Sequence, residues 1–190
     1  MPSEKPRQMS NEHPPLLKSL LDGVKYTHLL APQCVETNRV AWRALFRHLA
    51  ESAPESKDMA TQFHTQWHTS HHYIRELLAD DDLIADALWT WLPRYDGPPK
   101  TLYRGENLNR FESGNIGTAW TDAYATAKMF ASGLNNVGHG GVVLKIEAPV
   151  DAIISGPSKH SIWLGEREFS IDRRKLDKTI IVQAERFSPS

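Results

Sequence analysis

The feature that most constrains this chain is a change of periodicity near Asp96-Gly97-Pro98-Pro99. Before it, apolar residues recur at helical spacing. Leu16, Leu17, Leu20, Leu21 and Val24 form one such set, and Val40, Ala41, Ala44, Leu45 and Leu49 a second within 35–49. Met59, Phe63, Trp67, Ile74 and Leu78 form a third over 58–78. Asp80-Asp81-Asp82 offers capping oxygens for a fourth helix over 83–92, which Pro93 closes. After the break the apolar runs are short and of strand character: 101–104, 141–146, 152–154, 169–171 and 179–182. A single helical stretch, 122–132, interrupts them, with Ala123, Ala127, Phe130 and Ala131 as its apolar members. The fold class expected is therefore α+β, with a helical region over 15–97 and a mostly β region over 98–190. Residues 1–14, polar and carrying Pro2, Pro6 and Pro14, are expected to be disordered.

A net charge of -1 gives no global basic field to draw in nucleic acid, although a local patch stays open. Cys34 is the only cysteine, so no intramolecular disulfide forms and a reducing compartment is expected. The N-terminal stretch has no apolar segment of the secretory type, and no run reaches membrane-spanning length. A cytoplasmic place of action is the expectation, in its own cell or in a target cell.

Four stretches hold chemistry-bearing residues. His64, His68, His71 and His72 include two i, i+4 pairs, the spacing for a shared metal. No glutamate follows His64 and no cysteine is near, so a partly exposed helix face is expected, with no metal. Arg104 ends a strand and precedes Gly105, which presents a guanidinium beside backbone that a phosphate can approach. Thr118-Ala119-Trp120-Thr121-Asp122 leads into a helix, with Thr121 or Asp122 as its N-cap. Finally Leu164-Gly165-Glu166-Arg167-Glu168-Phe169-Ser170-Ile171 pairs two carboxylates ahead of an alternating run. As a strand, this stretch would put Glu166 and Glu168 on one open face, roughly 6–7 Å apart. Trp42, Trp67, Trp89 and Trp91 fit a helical core, whereas Trp120 and Trp163 sit where either could line a pocket.

Together, Tyr103-Arg104-Gly105, Thr118-Ala119-Trp120-Thr121 and Glu166-Arg167-Glu168 resemble the R-S-E class of ADP-ribosyltransferases, in order, spacing and local context. The resemblance covers about 101–187 and leaves out the helical half. It departs from the class at Ala119-Trp120-Thr121, which stands where Ser-Thr-Ser is usual, so part of the hydrogen-bond support is missing or comes from elsewhere. It implies a split β-sheet core and NAD as substrate, with no metal. It implies Glu168 as the carboxylate beside the nicotinamide ribose and Arg104 on the NAD phosphates. Thr121 would hold the Arg104 and Glu168 geometry, and Gly105, Thr118 and Trp120 would lie at the cofactor. Glu166 would act on the acceptor, with Trp163 in contact with it. The acceptor implied is macromolecular, a protein arginine or a nucleic acid base. Arg167, Arg173, Arg174, Lys175, Lys178 and Lys159 make a local basic cluster that keeps the second open. Small proteins of this type are often toxins, effectors or phage-conflict proteins, for which a neutralising antitoxin or immunity partner is expected. An NAD glycohydrolase, or an inactive binding module of the same fold, are the alternatives.

Overall fold

The computed structural model describes residues 13–23, 35–177 and 180–189. Val24 and Cys34, the N-terminal stretch through residue 12, Lys178 and Thr179 lie outside the described residues. The chain divides into two compact units, Met1–Leu92 and Pro93–Ser190.

The first unit holds α1 (His13–Asp22), α2 (Val35–Glu51), α3 (Lys57–Leu78) and α4 (Asp81–Trp91). Ser56 caps α3 by accepting from the Met59 amide at 3.1 Å, and Asp80 caps α4 by accepting from Leu83 at 3.1 Å. The carbonyls left over at the end of α3 are taken by α2. Arg39 Nε donates to Leu77 O at 2.9 Å, and Arg43 Nη2 to Leu78 O at 2.9 Å. Trp42, Phe46, Phe63, Trp67 and Trp91 are buried between the helices, while Trp89 is only half-buried. His64 and His68 are also buried, on the same side of α3 as Phe63 and Trp67. The expected partly exposed histidine face is thus confined to half-buried His71 and exposed His72. Among the described residues no group of histidines and carboxylates is placed to hold a metal.

The second unit is a six-stranded antiparallel open sheet with helices. Its strands are β1 (Lys100–Asn107), β2 (Ala119–Thr121), β3 (Gly141–Ala148), β4 (Ile153–Ser155), β5 (Glu168–Ile171) and β6 (Val182–Phe187). Their order across the sheet is β4-β5-β2-β1-β3-β6. The architecture is therefore α+β, as the periodicity implies. Among the described residues the strands form one sheet rather than the split sheet that the resemblance implies. Besides α6 (Tyr124–Ser132), the unit holds two five-residue helices that lack a readable apolar stripe, α5 (Leu108–Glu112) and α7 (Lys159–Trp163). Each is announced only by its cap, Asn107 for α5 and Ser158 for α7.

Strand alternation sorts the side chains onto two faces. Leu102, Trp120, Val142, Leu144, Ile146, Phe169 and Ile171 meet in one core. On the opposite face α6 sets Ala127 and Ala131 against Val143, with Tyr103 and Phe187 alongside. That contact is backbone-close. A Cβ on Gly105 would lie 2.2 Å from Ala127 O, and one on Gly141 would lie 1.8 Å from Ala131 O. Among the described residues no helix is long and apolar enough to cross a membrane.

Candidate active site

The three motif-bearing strands are neighbours, since β2 lies between β1 and β5. Tyr103 pairs with Thr121, and Thr121 pairs with Glu168. Paired residues in adjacent strands share a face with Cα atoms about 4.5–5.5 Å apart. The half-buried Glu168 carboxylate and the buried Thr121 side chain are therefore cross-strand neighbours, on the face that carries α6. Thr121 Oγ1 accepts from the Ala123 amide at 3.1 Å. It is thus the hydroxyl that receives the chain as it turns into α6, where the Ala123 N-cap position has no side-chain bond of its own.

The paired carboxylates are not two residues of one strand. β5 begins at Glu168, and Arg167 has φ +50°, outside the extended region. The alternation argument that set Glu166 beside Glu168 fails there. Glu166 belongs to a turn, and one residue organises that turn. Buried Ser161 accepts the Glu166 amide on its carbonyl at 3.0 Å and the Arg167 amide on the same carbonyl at 3.2 Å. Its hydroxyl accepts the Glu168 amide at 2.6 Å. Ser161 is itself fixed by donating its amide to the Ser158 hydroxyl at 3.0 Å. A second tie comes from Asp122. Arg167 Nη2 donates to Asp122 Oδ2 at 2.7 Å, and Arg167 Nε lies 2.7 Å from Oδ1 as a close ion pair outside hydrogen-bond alignment. Lys100 Nζ reaches the same Oδ2 at 3.1 Å. Asp122, weighed in the sequence as an N-cap, is instead the shared counterion of two cations. From α6, Thr126 Oγ1 adds a bond to Gly165 O at 3.3 Å.

Arg104 is on the neighbouring strand but on the opposite face, with Leu102 and Glu106. Its Nε donates to Glu106 Oε2 at 2.8 Å and its Nη1 to Ala119 O at 2.6 Å. The guanidinium lies against Gly117, where a Cβ would come within 2.1 Å of Nη2. Glu106 is 1% exposed and also accepts from the Gly117 amide at 2.9 Å and the Asn107 amide at 3.0 Å. Burial pushes its carboxyl up, but the Arg104 charge and hydrogen bond and the two amides outweigh that and hold it below the ordinary carboxylate value. A buried carboxylate needs such a partner, and Arg104 serves Glu106 and the start of β2. Sequence reading missed Glu106 and Ser161. The Arg-x-Glu spacing along a strand was the signal for the first, and Ser158-x-x-Ser161 for the second.

Three further expected contacts are also relocated. Gly105 spends its missing side chain on α6, as the 2.2 Å approach to Ala127 O shows. Trp120 is 1% exposed in the core and donates its Nε1 to Gly117 O at 3.2 Å, so it lines no pocket. Thr118 is buried and passes its carbonyl to the Ile171 amide at 2.9 Å, which makes it part of the β2–β5 junction. Trp163, by contrast, is 79% exposed at the end of α7, stacked on His160 at 5.8 Å and flanked by exposed Ile162 and Leu164. Of the basic cluster, Arg167 is held by Asp122, Arg174 by buried Asp172 at 2.9 Å, and Arg173 donates to Ile116 O. The chain matches no protein-family model, no curated protein and no solved structure.

Proposed function

We propose that the chain is an ADP-ribosyltransferase that moves ADP-ribose from NAD to a macromolecular acceptor. The observation that carries this reading is the pairing of Thr121 with Glu168 across adjacent strands, with Glu166 on the turn that leads into the second. The supporting strand order is β5-β2-β1, which makes neighbours of the three stretches that resemble the R-S-E motifs.

The chemistry follows from where charge develops. When the bond from nicotinamide nitrogen to ribose C1′ breaks, its electron pair leaves with nicotinamide and the ribose becomes oxocarbenium-like. A fixed carboxylate beside that carbon stabilises it, which is the role of Glu168. Thr121 keeps the strand and the α6 turn beside Glu168 in place. The acceptor nucleophile then bonds to C1′ as Glu166 takes its proton. Arg104 acts through Ala119 and Glu106 to hold β2, and this differs from the phosphate grip implied by the resemblance. The commitment of Arg167, Arg173 and Arg174 to partners within the chain favours a protein acceptor over nucleic acid. Action as a toxin or effector inside a cell, restrained by a neutralising partner, belongs to the same proposal and rests on the resemblance alone.

The test is labelled NAD in a cell lysate with purified protein, followed by protease or nuclease. Label that protease releases and nuclease does not is the expected result. Glu168→Gln should lower transfer about 10²-fold or more, the scale of losing a preorganised electrostatic group, while the protein stays folded. Nicotinamide release without label transfer would replace the transferase by an NAD glycohydrolase. Neither NAD turnover nor NAD binding would leave a binding module.

A further inference from the structure

The turn that carries Glu166 shares Ser161 with the strand that carries Glu168, since the Ser161 carbonyl accepts the Glu166 and Arg167 amides at 3.0 and 3.2 Å, but it has one fastening that the strand lacks. Glu168 is set by its register with Thr121 and by its amide bond to the Ser161 hydroxyl. Glu166 precedes the strand, and between the two stands Arg167 with its left-handed φ of +50°. A non-glycine residue holds that conformation only where its surroundings compel it. Here the side chain of the strained residue is itself clasped by Asp122, which is 10% exposed and fixed between the end of β2 and the start of α6. The same carboxylate neutralises Lys100 at the start of β1, whose Nζ also lies 5.2 Å from the centre of the Phe169 ring. Without the carboxylate, Lys100 and Arg167 face each other as like charges, and the turn is pushed away from the sheet.

We infer that Asp122 is a positioning residue that sets Glu166 through Arg167, and so decides whether the site transfers ADP-ribose or hydrolyses NAD. The inference rests on the transferase reading above and deepens it. Glu168, anchored by register and by Ser161, keeps the bond-breaking step when the clasp is lost. Glu166, displaced with its turn, no longer meets the acceptor, and water takes the acceptor's place at C1′ while its proton passes to solvent.

The experiment compares Asp122→Asn, Arg167→Gln and the double variant in the full chain. Nicotinamide release reports total NAD cleavage, and protein-bound label from a lysate reports transfer. Amide exchange of residues 166–168 follows the turn itself. Each single variant is expected to lower the ratio of transfer to cleavage about tenfold, with cleavage within about threefold of wild type and faster exchange at Glu166 and Arg167. Because both act through one contact, the double variant should be no worse than the worse single one. An unchanged ratio in variants that still cleave NAD overturns this inference and leaves the transferase reading standing. Additive losses in the double variant also overturn it. Equal losses of transfer and cleavage reduce Asp122 to a structural role and likewise overturn it. A wild-type protein that cleaves no NAD overturns the transferase reading first, and this inference with it.

Discussion

Glu106→Gln probes the least expected part of the site. The carboxylate accepts three bonds, from Arg104 Nε at 2.8 Å, Gly117 N at 2.9 Å and Asn107 N at 3.0 Å. Glutamine has nearly the same shape but only one acceptor oxygen. If that oxygen keeps Arg104 and Gly117, the new NH₂ faces the Asn107 amide, donor against donor. A lost charge-assisted bond amounts to about 1.5–3 kcal/mol, and a buried donor left without an acceptor adds about 1–3 kcal/mol. The sum agrees with the roughly 3–5 kcal/mol for removing one partner of a buried ion pair. Arg104 at 14% exposure is shielded enough for that scale to apply. With a urea slope of about 1–3 kcal/mol/M, the midpoint for the Pro93–Ser190 unit should fall by roughly 2 M at neutral pH. Amide exchange on β1 and β2 isolates that unit from the tryptophan-rich helices. The same substitution should change the acid limb. The Glu106 pKa is lowered on folding, so its stabilisation is complete above the unfolded value, near 4.5, and is lost as pH falls from there through the folded value. Wild type should therefore lose stability more steeply than Glu106→Gln below about pH 4.5. A variant within about 0.5 kcal/mol of wild type, the scatter of neutral surface changes, would refute the reasoning, as would an unchanged acid limb.

Two other substitutions separate structure from chemistry. Gly105→Ala places a Cβ 2.2 Å from Ala127 O and 2.6 Å from Ala131 N, both backbone atoms of α6, and should destabilise by at least the ~1–3 kcal/mol of ordinary overpacking. Thermal unfolding checks this, and a wild-type midpoint would return Gly105 to the list of ligand contacts. Trp163→Ala removes a ring that is 79% exposed, so stability should stay within about 0.5 kcal/mol. Protein labelling should fall while nicotinamide release is kept, and a parallel fall in both would assign Trp163 to NAD instead of the acceptor.

The helices α1 to α4 and α6 and the strands β1, β3, β4 and β5 were legible because each is set by local pattern and by caps such as Ser56 and Asp80, whereas α5, α7 and the three-residue β2 were not, and the run expected over 179–182 meets β6 only at Val182. Strand order was not, because which runs pair is decided by contacts far apart in sequence. The adjacency of Thr121 and Glu168 follows from β2 lying between β1 and β5, and no spacing rule states it. The histidines misled for a related reason. His64 and His68 share the stripe of Phe63 and Trp67, and burial of that stripe outweighed the polarity of two imidazoles.

Arg104 and Glu166 stand elsewhere than sequence reading put them, for opposite physical reasons. For Arg104 the chain itself held the placement. Leu102 is a core residue, alternation puts Arg104 and Glu106 on its face, and a buried glutamate two residues away claims the guanidinium. Glu166 lies off the strand face because β5 starts only at Glu168, and alternation was carried past that start. The left-handed turn at Arg167 is imposed by Ser161 and Asp122, one on a helix with no apolar stripe and one far earlier in the chain. The sheet thereby divides the work. The face with Leu102 and Trp120 holds the buried ion pair that fixes β1 to β2. The other face carries α6 and, beside it, the Thr121–Glu168 pair, while the turn of Glu166 shares Ser161 with Glu168 and adds the Asp122 clasp. On the proposed transferase reading, the acceptor step can be lost without the NAD-cleaving step, and the Asp122 and Glu106 variants should fall on opposite sides of that division. Asp122→Asn should lower the ratio of transfer to NAD cleavage at a smaller cost in stability, because its partners Arg167 and Lys100 are 54% and 34% exposed, and Glu106→Gln should change stability first and both activities together.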